Sequence, residues 1–449
     1  MPRQMDFTKG PIVRMLLAFS LPILLSLFLQ ALYGAVDLAI VGKYAAAEDV
    51  SGVAIGSQLT MSLAQFIGAL SMGTTILLGQ KLGAGEREVC GRATGVSVAL
   101  FLSIGVLLTV LIPLFSDGLA ALMNTPKESF AETSHYIAIC GAGSVMIVSY
   151  NVLGSILRGV GDSRTPLLTV VIASVCNIAA DWVLVAHLHM GAAGAAIATV
   201  ASQAVSVLLS LLILRRHGLP FPFSLRDVRF DRPVLRQILR FGGPVAVQDA
   251  LIGASFLIIL VFVNSLGMIP SAGLGVAEKV CAFIMLVPSA FAQAMSAFAA
   301  QNYGAGKFDR AVSGLKLSVA LSTLFGVGMF WLSFFHGDAL CSVFSGDERI
   351  VAAGFDYLKA YGVDCLFTCF LFCSTGFYNG LGYTGFVMVQ GVAASLLIRV
   401  PVAYLMLVKT ARLFYIGLAV PCSTIVGIGA CFLFYFLRIK PRLARENAS

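Results

Sequence analysis

Apolar stretches of about twenty residues or more, separated by short polar punctuation, run the whole length of this 449-residue chain. Each is long enough to cross about 30 Å of hydrocarbon as a helix. Twelve segments are legible, with cores at 15–42, 52–80, 93–116, 133–157, 166–187, 191–214, 238–265, 272–301, 311–335, 352–378, 386–408 and 414–437. None carries the period-two alternation of a membrane β-barrel. The pattern predicts an all-α polytopic membrane protein. The first segment is too long for a signal-peptide core and lacks a cleavage site, so it reads as a retained helix.

Charge refines this picture. Charged residues make up 12% of the chain, against about 25% in a soluble domain. Twenty-two Lys and Arg fall at the N-terminus, after even-numbered segments and at the C-terminus, and 6 fall after odd-numbered ones. That bias predicts a multi-pass protein of the inner (plasma) membrane with both termini cytoplasmic. It also accounts for the net charge of +8 without nucleic acid as a partner. The longest polar stretch, Arg215–Arg240, holds seven arginines and the Leu-Pro-Phe-Pro turn at 219–222. It reads as the connector between an N-terminal six-helix bundle (1–214) and a C-terminal one (238–449) that ends in a short cytoplasmic tail, with the linker at 215–237. The ten cysteines lie mostly in apolar runs with no CxxC pair and read as small hydrophobes. HExxH, GxSxG and GxxxxGK[ST] are absent, which argues against an enzyme and against ATP drive within the chain.

The two bundles are copies. Gln80-Lys-Leu-Gly-Ala-Gly85 recurs as Gln301-Asn-Tyr-Gly-Ala-Gly306, and Phe19-Ser-Leu-Pro22 as Phe241-Gly-Gly-Pro244. Ala173-Ser174 recurs as Ala394-Ser395, and Arg158-Gly-Val-Gly161 as Asn379-Gly-Leu-Gly382. The spacing is 221 or 222 residues. Six helices per half put both copies on the same side of the membrane, a parallel repeat of the kind that supports alternating access.

Against this apolar background Asp37 and Asp181 stand out. A carboxylate at the centre of a membrane helix costs about 3 kcal/mol on insertion scales, so its default reading is functional. Asn177 and Asp181 are four apart and share a helix face, as do Tyr33 and Asp37. In the repeat register Asp37 faces Ile259, Asn177 faces Ile398 and Asp181 faces Val402, so the polar cluster belongs to the first half alone. The predicted orientation places Asp37 and Asp181 within about 12 Å of the outer helix ends at 1.5 Å per residue. Carboxylate, amide and hydroxyl oxygens without sulfur or imidazole suit a hard cation such as Na⁺. Protonation is the rival chemistry, since two adjacent buried carboxylates cannot both ionise cheaply. Pro22 removes a backbone hydrogen bond inside the first helix and marks a bend.

The ordered set of marks resembles the multidrug and toxic compound extrusion (MATE) transporters over essentially the whole chain. The marks are Pro22, Asp37, the two Gly-Ala-Gly turns, Leu157-Arg-Gly-Val-Gly-Asp-Ser-Arg-Thr-Pro166, Asn177-x-x-x-Asp181 and Gly194-Ala-Ala-Ile-Ala-Thr199. The resemblance implies a twelve-helix, V-shaped, two-lobed exporter that ejects bulky, often cationic drugs in exchange for Na⁺ or H⁺ and needs no cofactor. It is nearest the branch coupled in the N-lobe (DinF-like), which carries over Asp37, Asn177, Asp181 and Thr199 as cation ligands, with Asn151, Tyr33 and Tyr136 as a supporting network. Another branch places acids on helices 7 and 10, where this chain has Ile252 and Thr368. Gln248 and Asp249 are candidate contacts for a cationic substrate. Arg399 is expected to pair internally, with Asp364 as its partner. Expected partners are drug-like small molecules and the bilayer, for a monomeric carrier. The alternative within the superfamily is a flippase for lipid-linked precursors or polysaccharides.

Overall fold

The computed structural model describes residues 4–441, so the end of the expected cytoplasmic tail lies outside the described residues. Among the described residues eleven helices are long and apolar enough to span a bilayer, and one bent pair, taken as one span, makes a twelfth. In chain order they are α1 (Ile12–Tyr44), α2 (Ala47–Gly83), α3 (Arg87–Leu114), α4 (Lys127–Ala142 with Ser144–Gly159), α5 (Arg164–His187) and α6 (Gly191–His217). The second set is α7 (Arg232–Asn264), α8 (Met268–Gly304), α9 (Phe308–Phe335), α10 (Glu348–Gly380), α11 (Thr384–Thr410) and α12 (Leu413–Ile439). No strand occurs among the described residues. The chain is therefore the all-α polytopic protein that the hydrophobic pattern predicts.

The differences from the predicted segments are local. α2 starts at Ala47, ahead of its apolar core, because Glu48 and Asp49 lie in its first turn and Asp49 Oδ2 accepts a bond from Ala46 N–H at 3.2 Å. Acidic groups there also complement the helix dipole. The fourth segment is not one straight helix: α4 bends by 53° between Ala142 and Ser144. Gly143 sits at the bend, and a Cβ there would lie 2.4 Å from the Val200 side chain on α6. A glycine is therefore needed where the two helices come closest. Three helices carry π-helical turns, Trp182–His187 in α5, Ala393–Arg399 in α11 and Tyr435–Ile439 in α12. Such turns recur at functional sites in helices.

By its contacts the chain forms two units. The first contains residues up to Asp6 and Leu21–Gly243; the second contains Phe7–Ser20 and everything from Pro244 on. The sequence reading draws the border at the 215–237 linker. By contacts it lies at Gly243/Pro244, and the opening turns of α1 group with the second unit. Both divisions fall beside the internal prolines of α1 and α7, Pro22 and Pro244. The linker is no loose connector: Phe221 is buried in the apolar core of the first unit with Leu77, Phe101, Val152 and Ile238. The backbone passes so close to α3 that a Cβ on Gly91 would lie 2.3 Å from the Pro222 carbonyl oxygen.

The second unit grips its own entering strap. The buried Phe7 ring packs edge-on against Phe19 at 4.9 Å and against Phe298 at 5.6 Å. Phe7 N–H donates to Gln301 Oε1 at 3.2 Å, and its carbonyl accepts from Asn302 Nδ2 at 3.2 Å and Arg310 Nε at 2.9 Å. Arg310 Nη2 also donates to the carbonyls of Lys9 and Gly10, at 2.9 and 2.7 Å. Gln301, the glutamine that the repeat shares with Gln80, and the neighbouring Asn302 thus hold residue 7 by its backbone.

Close packing in the first unit yields a stability prediction. A Cβ on Gly73 of α2 would lie 2.2 Å from the Ile238 carbonyl oxygen and 2.7 Å from Gly242 N. Overpacking typically costs about 1–3 kcal/mol. Gly73→Val should lower the melting temperature of detergent-purified protein by several degrees. Melting like the wild type would refute the tight α2–α7 approach within this unit.

Candidate functional site

The polar positions of the first unit fall on helix faces that meet. On α1, Gln30, Tyr33 and Asp37 are spaced three and four apart, so they form one stripe. On α6, Thr199, Ser202, Gln203, Ser206 and Ser210 form another, and Ser202, Ser206 and Ser210 are buried. α5 brings Asn177 and Asp181 to its buried face, with 1% and 0% exposure. Asp181 is the last residue of regular α-helix before the π-helical turn Trp182–His187.

Asp37, 6% exposed, lies at the centre. It is close enough to Asp181 for the two carboxylates to repel each other. Its charge also acts on Tyr33, Tyr136 and Cys140. Thr199 lies beside Tyr136, Gln203 beside Tyr33, and Thr60 beside Cys140. Each supporting group has a structural reason for its position. Gly56 of α2 leaves room for the Tyr136 ring, which a Cβ there would meet at 2.5 Å. Asp49 Oδ1 accepts from Ala192 N–H at 2.7 Å and so caps the start of α6, seven residues before Thr199.

The centre is short of partners. Asp37 Oδ1, both Asp181 carboxylate oxygens and both Asn177 amide atoms are buried with no hydrogen-bond partner. A buried polar group left unpaired costs about 1–3 kcal/mol. No basic side chain acts on either carboxylate, and what bears on Asp181 besides burial is the charge of Asp37. Five unpaired atoms, four of them oxygens, around two carboxylates suit a hard cation, which takes oxygen ligands and offsets their charge. The donor set therefore fits Na⁺ and equally fits a shared proton.

Other predicted residues stand apart from this centre. Asn151 Nδ2 is bonded to Ile147 O of its own helix at 2.9 Å, and a Cβ on Gly68 would lie 3.2 Å from its Oδ1. It packs between α4 and α2 rather than joining the carboxylates. Pro22 lies within an unbroken α1, and its carbonyl accepts from Ser26 Oγ at 2.8 Å. In the second unit Gln248 is buried beside Gly391 while the adjacent Asp249 is exposed, so the two point different ways.

Sequence reasoning missed the floor of the site. A small cavity is lined by Gln30, Tyr33, Tyr150, Ser202, Gln203 and Ser206, among others. Gln30 Nε2 donates to Tyr150 Oη at 3.2 Å, while Gln203 Oε1 and Ser206 Oγ have no partner. The signal was present: Gln30 lies seven residues before Asp37, and Gln203 four after Thr199, on the same faces.

A family profile described as MatE matches residues 22–183 and again 244–405. The chain belongs to the MatE family. The two matches start at Pro22 and Pro244, in the register of the internal repeat. The MatE chain is 28% identical to the probable multidrug resistance protein YpnP of Bacillus subtilis (strain 168), over 96% of each chain. It is 26% identical to the probable multidrug resistance protein NorM of Thermotoga maritima, over 90% of this chain and 86% of that one. A solved MATE structure in complex with MaL6 superposes with a TM-score of 0.91 at 21% identity, covering 98% of this chain and 99% of that one. A MOP superfamily transporter from Pyrococcus furiosus matches with a TM-score of 0.91 at 20% identity and 98% coverage of both chains. This MatE protein is a membrane transporter and not an enzyme.

The repulsion between the carboxylates gives a direct test. Asp181→Asn removes one of two like charges and keeps the shape. In cation-poor alkaline buffer, where both carboxyls are ionised, the variant should melt at or above the wild-type temperature by differential scanning fluorimetry. A loss of several degrees would show that Asp181 is held by attractive partners instead.

Proposed function

We propose that this MatE protein is a secondary active exporter of bulky, often cationic, drug-like compounds, driven by inward Na⁺ or H⁺ through alternating access. Coupling takes place at Asp37 and Asp181, with Asn177 and Thr199 as further ligands and Tyr33 and Tyr136 in support. One observation carries this reading: two buried carboxylates repel each other amid unpartnered oxygens in the first unit. The repeat puts Ile259 and Val402 at the matching positions of the second. A need shared by both halves for packing would have appeared in both. The relatives' names, with near full-length coverage, support drug export. The acidic character of the centre speaks against the flippase alternative, which calls for a basic cleft.

In the proposed topology both termini face the cytoplasm, residues 1–214 form the coupling lobe and 238–449 its counterpart. A cation at the Asp37 cluster removes the repulsion between the carboxylates and gives the unpaired oxygens a partner. The loaded and empty clusters then favour different shapes of α1, which carries Asp37 and the bend point Pro22 on one rod. A ligand shifts a conformational equilibrium only by its differential affinity for the two states, and here that difference is the electrostatic relief at Asp37. A membrane potential supplies about 2.3 kcal/mol per charge per 100 mV. With about 1.4 kcal/mol per factor of ten, one coupled cation drives accumulation of more than tenfold.

The decisive experiment uses proteoliposomes loaded with a fluorescent cation, with Na⁺ and pH gradients imposed separately. Asp37→Asn should abolish gradient-driven efflux while its melting temperature stays near that of the wild type. Full ion-driven efflux in that variant would sink the coupling assignment.

A further inference from the structure

The second unit holds a buried charged centre of its own. Arg399 closes the π-helical turn Ala393–Arg399 of α11 and is 9% exposed. Its Nη1 donates to Ser255 Oγ on α7 at 3.2 Å, and its Nε to Ser423 Oγ on α12 at 3.2 Å. Its guanidinium lies over the Phe256 ring, 4.5 Å from the centroid. Asp364 on α10, 2% exposed, is the acid that attracts it most. The expected Arg399–Asp364 pairing is thus one of charge, while the hydrogen bonds of the guanidinium go to serines. Thr424 lies beside Asp364, whose Oδ1 has no hydrogen-bond partner. Glu278 on α8, the other acid of this region, is half-buried and faces Tyr357 and Cys281.

The repeat gives this arrangement its meaning. The 222-residue register of the prolines sets Ser255 at the position of Tyr33 and Phe256 at that of Gly34. The 221-residue register of Ala173-Ser174 and Ala394-Ser395 sets Ile398 at the position of Asn177, next to Arg399. Each unit therefore builds a polar centre between its first and fifth helices. In the first unit the centre carries two carboxylates and no basic group; in the second, a carboxylate and a guanidinium. Where the first unit has Gly34, with no atom within 4 Å of a notional Cβ, the second has an aromatic face, a surface that attracts cations.

We propose that Arg399 is the resident cation of the second unit. The chain supplies, on a tether, the positive charge that the first unit takes from solution. Arg399 neutralises Asp364, fills the space a mobile ion would need, and confines exchangeable cation binding to the Asp37 cluster. It thereby sets how many ions the carrier binds. This rests on the proposed coupling role of Asp37 in the matter of count alone; the pairing of Arg399 with Asp364 is tested independently of it.

The test is cation rescue in the full-length purified protein. Arg399→Ala should melt below the wild type and regain stability as methylguanidinium chloride is added, beyond the effect of choline chloride at equal ionic strength. The double variant Arg399→Ala with Asp364→Asn should show no such response, and Arg399→Lys, which keeps a tethered charge, should need no rescue. Adding Asp37→Asn to Arg399→Ala should leave the rescue intact, so failure of the coupling assignment is read separately in the efflux assay. An unresponsive Arg399→Ala, or one that responds like the double variant, overturns the proposal. If Arg399→Ala yields no folded protein, the double variant decides. Recovery on removal of the acid supports a neutralising role; continued failure shows that Arg399 acts by packing and overturns it.

Discussion

Asp37 and Asp181 are buried acids that bear on each other while, among the described residues, no basic side chain pairs with either, and much of the first unit packs around them. Helices in hydrocarbon satisfy their backbones internally, so the apolar spans need no partner on that account. Charged side chains do. Tyr33 and Tyr136 lie within reach of Asp37, with Gln203 and Thr199 beside them. Gly56 and the Asp49 cap set α2 and α6 at the distance that allows this. Packing brings the carboxylates together while leaving four of the five unpaired atoms as oxygen acceptors.

Much of this was legible in the sequence, and for identifiable reasons. Hydrophobic runs have to be about as long as the bilayer is thick, so the spans could be read directly. A polar residue in such a run is costly, so Asp37 and Asp181 drew notice at once. The repeat register, fixed by Pro22/Pro244 and the Gly-Ala-Gly turns, exposed the asymmetry between the halves. What escaped notice depends on neighbours distant in the chain. The bend at Gly143 arises from Val200 on another helix. Asn151 has the residue type and the helix of a cluster member, yet its Nδ2 donates to the Ile147 carbonyl of its own helix. Gln30, Gln203 and the α6 serines are uncharged and scattered, so their common floor became visible only once α1 and α6 were set side by side.

The two units also show how one plan accepts opposite chemistry. Each inserts a polar centre between its first and fifth helices, and each divides from the other beside a proline in its first helix. One copy keeps acids without a counter-charge; the other keeps an acid with an arginine.

The strap around Phe7 carries a consequence for how the chain is made. The partner of Phe7 N–H, Gln301, lies 294 residues further along. At about 5–20 residues per second, the ribosome reaches it roughly 15–60 s after residue 7 is complete. Throughout that interval the entering strap lacks the side chains that hold its backbone, and the opening turns of α1 lack the unit they belong to. The opening turns of the first helix are thus seated long after the rest of it has been made, and the order of synthesis along α1 is not the order in which its parts settle.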